Sequence, residues 1–209
     1  MDGGFIKNSA LMPKEILFDE QAALQQATEL FWTKGYNGTS IDELTKATGL
    51  SRSSIYNTFG GKHELFVRSL RFYLDGQQRQ LQHLGAKVKN VAERFRAMFQ
   101  YAAEDILSDR MRKGCLMVNT TTEMVNMDKE IADIAASNME WMEGLFAEWI
   151  REGQAAGAIH TGFAPQALAK YLFSTYSGLK VTGQAKPERK TLEEIVKVAL
   201  SVLEAPGVS

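Results

Sequence analysis

The residues best suited to chemistry in this sequence are polar donors that follow a glycine-containing turn. Arg52, Ser53, Tyr56 and Asn57 are spaced to share the outer face of a helix that starts at Ser51. An Asn side chain can bond adenine through two hydrogen bonds, and an Arg side chain can do so with guanine or bind phosphate. This pattern is compatible with DNA recognition. A capped surface helix with solvated polar side chains is the alternative.

The sequence shows no pattern typical of catalysis or metal binding. His63, His83 and His160 lack metal-ligand spacing, and the single cysteine, Cys115, leaves no zinc signature. We find no catalytic triad, phosphate-binding loop or dinucleotide fingerprint. We therefore expect no enzyme and no cofactor, with a helical enzyme as a distant alternative.

Two short helices must position the polar segment. Ser40 to Glu43 forms an S-x-x-E capping box, which marks a helix start, and Gly49 marks its end. Ser51 is a suitable cap for the next helix. A helix, a tight turn and a second helix match the helix-turn-helix motif, whose second helix enters the DNA major groove.

Apolar residues at helical spacing continue through the rest of the chain, and strand-like alternation is nearly absent. We predict an all-α fold with an N-terminal three-helix bundle over residues 16–74. A larger C-terminal bundle for effector binding and dimerisation follows over residues 75–209 and shares the helix that begins at Lys62. Residues 1–15 are expected to form a flexible leader.

Composition excludes several classes of protein. The 209 residues are 44% hydrophobic and 23% charged, which excludes a disordered chain. The formal net charge of −1 gives no global attraction to nucleic acid, so DNA binding must rest on the local excess of two positive charges between Thr39 and Arg71. No run approaches the ~18–20 apolar residues of a membrane span and no signal peptide is evident, so we expect a cytoplasmic protein with no membrane partner.

The helix-turn-helix segment carries a specific resemblance. Residues 35–44 (GYNGTSIDEL) and 48–66 (TGLSRSSIYNTFGGKHELF) resemble the DNA-binding domain of the TetR family of bacterial transcriptional regulators. The resemblance implies a homodimeric repressor that binds a near-palindromic double-stranded operator and is released by a small apolar or amphipathic effector. An activator on the same scaffold, or a repressor that senses oxidants or electrophiles through its cysteine, are alternatives.

The resemblance also implies roles for individual residues. Thr39, Tyr56 and Lys62 correspond to phosphate-contacting positions. Asn57-Thr58 stands where an aromatic/His pair is common in the family, so the base preference is expected to differ. The implied DNA-binding residues are Thr39, Arg52, Ser53, Ser54, Tyr56, Asn57 and Lys62.

An effector site is predicted from methionine usage. Seven of the nine methionines lie between Met98 and Met142, interspersed with aromatic residues, and such side chains line pockets for varied apolar ligands. An irregular helical core is the alternative. Cys115 follows Arg112 and Lys113, whose charge favours a reactive thiolate, although a small buried hydrophobe is the alternative. The predicted ligand-binding residues are Phe95, Met98, Phe99, Cys115, Met117, Thr121, Trp141 and Phe146.

The last two helices are expected to pair with their counterparts in a dimer. The resemblance implies this arrangement, and a clean apolar stripe from about Glu188 to Leu203 suits it. An intrachain core is the alternative, because one amphipathic helix does not say which partner covers it. The predicted interface residues are Leu172, Tyr176, Leu192, Val196, Leu200 and Leu203.

Overall fold

The computed structural model describes residues 19–204, and every regular element in that range is an α-helix. The predicted all-α class is therefore confirmed, while the predicted leader, residues 1–15, lies outside the described residues. Within residues 19–204, no helix has both the length and the apolar character needed to cross a membrane. The helices are α1 (Glu20–Lys34), α2 (Ile41–Thr48), α3 (Arg52–Phe59), α4 (Lys62–Lys87), α5 (Val91–Ser108), α6 (Leu116–Met124), α7 (Lys129–Ala155), α8 (Pro165–Ala185) and α9 (Arg189–Ser201).

Local capping chemistry starts the first three helices. The Asp19 carboxylate accepts from the Ala22 backbone N–H at 3.0 Å, Ser40 and Glu43 form a capping box, and Ser51 caps α3. Gly49 ends α2 with a φ of 71°, in the left-handed region where glycine alone avoids a Cβ penalty. The predicted helix starts at Ser40 and Ser51 are confirmed.

The N-terminal hydrophobic core holds α1 to α4 together. Phe31 and Phe66 are fully buried, and their ring centroids lie 4.9 Å apart in an edge-to-face arrangement. The same core includes Leu116 and Met124 from α6 and Ile131 from α7. The division at residue 74 stays a prediction, since α4 is continuous across it and α6 packs with the N-terminal helices.

The C-terminal core contains several of the residues predicted for the effector site. Phe95, Phe99 and Phe146 are completely buried, and the rings of Phe95 and Phe146 meet edge-to-face with centroids 5.3 Å apart. All three side chains pack between helices in the core, which supports the alternative of a helical core, and their role in ligand binding stays a prediction. Trp141 is partly buried against the same core and borders a separate groove, so its role in ligand binding stays a prediction.

The predicted dimer residues are mostly covered by their own chain. Leu172, Leu192 and Leu203 are buried in the C-terminal core, as are Val196 and Tyr176. Because α5 and α7 supply apolar partners for α8 and α9 within the chain, these five residues offer little surface to a second subunit, and their role at a dimer interface stays a prediction. Leu200 packs at the edge of the core and is only partly buried, so its role at an interface stays a prediction. The apolar side chains that α8 and α9 do expose are Tyr171, Val181 and Val198.

Candidate DNA-binding surface and effector cavity

Helix α3 turns a polar face to the exterior. It is anchored by Ile55 and Phe59, which are buried against α4 and the N-terminal core. Tyr56 leaves 57% of its surface exposed, and Asn57 is exposed beside it. The predicted polar residues therefore share the outward face of a helix whose inner face is fixed by packing.

Serine hydroxyls cluster at the N-terminus of α3. The Ser51 hydroxyl lies 2.9 Å from the Ser53 hydroxyl and 2.8 Å from the Ser54 hydroxyl, and it also accepts from the Ser54 backbone N–H at 3.0 Å. A helix N-terminus favours anions through its free N–H groups and its dipole. The cluster can thus offer hydroxyl donors to a phosphate at a position where negative charge is stabilised.

Arg52 is held across the turn by α2. Its Nε and Nη2 donate to Asp42 Oδ1 at 3.0 and 2.6 Å, and the two side chains are 61% and 62% exposed. Ion pairs this exposed contribute only about 0–1 kcal/mol. Arg52 can therefore exchange the Asp42 carboxylate for a DNA phosphate or a guanine edge at little cost.

Tyr56 and Lys62 flank the glycine turn between α3 and α4. Gly61 has a φ of 129°, and a Cβ there would lie 3.2 Å from the Tyr56 ring, so the ring packs directly on the turn. The Lys62 ammonium lies 4.2 Å from the centroid of the Tyr36 ring, at the first residue of α4. The positions of the Tyr56 and Lys62 side chains are therefore set by contacts within the N-terminal bundle.

Thr39 has a different role from the one the resemblance implies. It is 1% exposed, and its hydroxyl donates to the Gly35 carbonyl at 2.7 Å. The single hydroxyl proton is thereby used inside the fold, where it closes the turn between α1 and α2. Assigning the Thr39 side chain to phosphate is therefore corrected, because a phosphate oxygen needs a free donor.

A cavity of about 410 Å³ lies between α6, α7 and α8. We call it the α7–α8 cavity, and Cys115, Met117 and Thr121 lie in its wall as predicted. Met98 instead lines a larger neighbouring space of about 830 Å³ bounded by α1, α4, α5 and α8, here called the α1–α5 cavity. Whether either cavity binds an effector stays a prediction.

Three residues line both cavities, and sequence reasoning assigned none of them to a ligand. They are Gln77, Tyr176 and Lys180. Burial raises the pKa of the Tyr176 phenol well above its ordinary value, so the hydroxyl keeps its proton. Lys180 is buried and pairs with Asp105 at 3.2 Å. Sequence reasoning assigned it no ligand role, because a lone lysine on a helix is ordinarily solvated.

Cys115 is buried at the junction of the two bundles. The Tyr73 hydroxyl donates to the Cys115 Sγ at 3.5 Å. Burial is the main cause that raises the pKa of the Tyr73 phenol, and the neighbouring Cys115 thiol is the second. The thiol is part of the N-terminal core and also reaches the α7–α8 cavity. Its role as a redox or electrophile sensor stays a prediction.

Helix α6 is tied to the DNA-binding bundle by one carboxylate. Glu123 accepts from the backbone N–H of Tyr36 at 3.0 Å and from that of Asn37 at 2.7 Å. A Cβ at Gly35 would lie 2.8 Å from the same carboxylate, and the φ of 74° there also favours glycine. We call this arrangement the Glu123 clamp, and it fixes α6 to the turn between α1 and α2.

Comparison with known proteins agrees with this architecture. Residues 23–68 match the model of bacterial regulatory proteins of the tetR family, and residues 91–199 match the Tetracyclin repressor-like C-terminal domain. The transcriptional regulator YezE of Bacillus subtilis is 28% identical over 90% of this chain and 97% of its own. The transcriptional repressor ComR of Escherichia coli is 29% identical over 95% and 92%.

Solved structures give the same result. A cysteine mutant of the TetR-family regulator CifR, complexed with 26-bp double-strand operator DNA, superposes with a TM-score of 0.80. It is 27% identical, over 90% of this chain and 97% of CifR. Since the matched C-terminal domain alone spans more than half of the chain, this protein belongs to the TetR family of bacterial regulators and is a DNA-binding transcriptional regulator rather than an enzyme.

Proposed function

We propose that the protein is a homodimeric repressor that binds a near-palindromic operator and is released by a small molecule. The observation that carries the proposal is the outward polar face of α3, held rigidly by buried Ile55 and Phe59 in a helix-turn-helix. The proposal is further supported by the relatives, since ComR is named a repressor and CifR is complexed with operator DNA. A DNA target of this kind implies work in the bacterial cytoplasm.

Two copies of α3 are expected to act together. The local excess of two positive charges is a small electrostatic contribution, so one bundle alone would bind DNA weakly. A twofold dimer would place two α3 helices in major grooves about 34–36 Å apart, or a multiple of that distance. The exposed apolar residues Tyr171, Val181 and Val198 on α8 and α9 are our candidates for the dimer interface.

Effector binding would reach the DNA-binding helices through α6. One side of this short helix lines the α7–α8 cavity with Met117 and Thr121, and its C-terminal turn carries the Glu123 clamp. A ligand that displaces α6 would therefore shift the turn between α1 and α2. The ligand stabilises the released state only to the extent that it binds that state more tightly.

Fluorescence anisotropy with duplexes from the gene's own upstream region tests the proposal. Tyr56→Phe and Lys62→Ala should weaken binding to all sequences alike, since both groups are assigned to phosphate, and Lys62→Ala should lower the salt slope by about 1. Asn57→Ala should instead change the preferred base at one position, by about 1–3 kcal/mol.

The matched control is Lys89→Ala, which removes the same charge from the exposed loop between α4 and α5 and should leave operator affinity unchanged. Failure of the wild-type chain to prefer any upstream sequence over random DNA would reject the repressor. A uniform loss of affinity in Asn57→Ala, with the same preferred site, would reject base recognition by this residue.

A further inference from the structure

The wall of the α7–α8 cavity is apolar except for a few polar groups. Its volume of about 410 Å³ lies within the usual range for small-molecule sites. Among the described residues that line it, none is Asp, Glu or Arg, and one is a lysine. The apolar part is formed mainly by Met117, Val118, Val125, Met139, Met142 and Phe173.

The lysine is Lys180, and it is unusually enclosed for a charged residue. Its side chain is 8% exposed, and its Nζ donates to Asp105 Oδ2 at 3.2 Å. An ammonium group has three N–H donors, and this carboxylate is its one hydrogen-bond partner among residues 19–204. Lys180 also borders the α7–α8 cavity, so donors remain for an acceptor inside it.

The charge balance around Lys180 selects between an anionic and an uncharged ligand. Asp105, which borders the neighbouring α1–α5 cavity, already neutralises the ammonium and remains 46% exposed to water. A ligand carboxylate would add an unbalanced negative charge to an apolar wall, and desolvating it is costly. A carbonyl oxygen accepts a hydrogen bond without adding charge.

We propose that the α7–α8 cavity binds an uncharged ligand with an apolar body and a carbonyl oxygen that accepts a hydrogen bond from Lys180. The proposal rests on the proposed function, in which this cavity is the effector site. The apolar body would lie against Phe173 and among the methionines, whose flexible side chains adapt to different shapes.

Three probes with the same butylphenyl body test the ligand class: butylbenzene, 4-butylacetophenone and 4-butylbenzoate. Calorimetric titration of the full chain without DNA should show the ketone binding about tenfold more tightly than the hydrocarbon. Tenfold corresponds to about 1.4 kcal/mol, the size expected for one hydrogen bond from a charged donor. The carboxylate should bind more weakly than the ketone.

Variants identify the groups responsible. Lys180→Met should reduce the ketone to the affinity of butylbenzene. Asp105→Asn removes the competing charge from a half-exposed side chain, so the folded variant should bind 4-butylbenzoate about tenfold more tightly. Glu104→Gln, the matched control, removes a charge from the neighbouring exposed residue of α5 and should change none of the three affinities.

Several results would overturn the ligand class: no binding of any probe, equal affinities for ketone and hydrocarbon, or a carboxylate that binds as tightly as the ketone. An unchanged preference between carboxylate and ketone in Asp105→Asn would do the same. Operator binding without probe is measured separately on the same protein. If operator binding persists while the probes fail, the ligand class alone is rejected, whereas absent operator binding rejects the proposed function itself.

Discussion

Removing the Glu123 clamp should loosen the DNA-binding bundle from α6. Glu123→Gln preserves the shape of the side chain but replaces one acceptor oxygen with an NH₂ group, which would then face a backbone N–H. The two native bonds are 3.0 Å from Tyr36 and 2.7 Å from Asn37, and a charged acceptor strengthens both. The substitution therefore removes one hydrogen bond and places the side-chain NH₂ donor against a backbone N–H donor.

The magnitude follows from the exposure of the two bonds. Hydrogen bonds to charged groups contribute about 1.5–3 kcal/mol, but the bond from Asn37 is exposed to solvent and the bond from Tyr36 only partly buried. Water replaces part of what is lost, so we expect about 1–2 kcal/mol, near the lower end of that range. Each 1.4 kcal/mol is a factor of ten, which makes local opening roughly 5- to 30-fold more frequent.

Amide hydrogen exchange measures this directly. In Glu123→Gln the Tyr36 and Asn37 amides should exchange 5- to 30-fold faster, while amides in the middle of α9 keep their rates. Glu140→Gln makes the same change at an exposed position of α7 and serves as the control. Unaltered exchange at both amides, in a variant that folds normally, would refute the clamp.

Three further predictions concern assembly, pH and the thiol. Val181→Glu or Val198→Glu should yield folded monomers by sedimentation, since each buries a charge only in the dimer; persistent dimers would exclude that interface. The Lys34 ammonium, then the Ser40 backbone and hydroxyl, hold the pKa of Glu43 at about 2 instead of 4.5. The resulting stabilisation is complete above pH 4.5 and lost as pH falls toward 2, and a carboxyl NMR titration with a midpoint near 4.5 would contradict it. Buried Cys115 should react with N-ethylmaleimide far more slowly in the native protein than in urea, and equal rates would contradict its burial.

The helix-turn-helix was predictable because short-range chemistry specifies it. The Ser40 capping box and the left-handed Gly49 act within a few residues, so their sequence spacing is already their structural spacing. The outward face of α3 follows from the same periodicity, with Ile55 and Phe59 inward. Thr39 was misassigned because a sequence pattern does not reveal that its hydroxyl has a partner inside the turn.

The effector cavity was less predictable because distant segments assemble it. Phe95 and Phe146 have the residue types of a ligand pocket, yet their rings pack on each other and leave no space. Lys180 becomes distinctive only when α5 brings Asp105 to it from 75 residues away. The predicted interface residues raise a similar question, since the apolar stripe on α9 packs largely within its own chain and a sequence pattern does not show which partner covers it.

Helix α6 is the element that contacts both the α7–α8 cavity and the DNA-binding bundle. It is nine residues long, too short to bend appreciably between its first turn at the cavity and its last turn at the clamp. Its residues Leu116 and Met124 are packed in the N-terminal core, so moving one end without the other would open a cavity, which costs free energy. A ligand that pushes on Met117 must therefore displace Glu123 as well or be excluded. If the α7–α8 cavity binds an effector as we propose, its affinity would thereby be coupled to the position of the turn that precedes the DNA-binding helices.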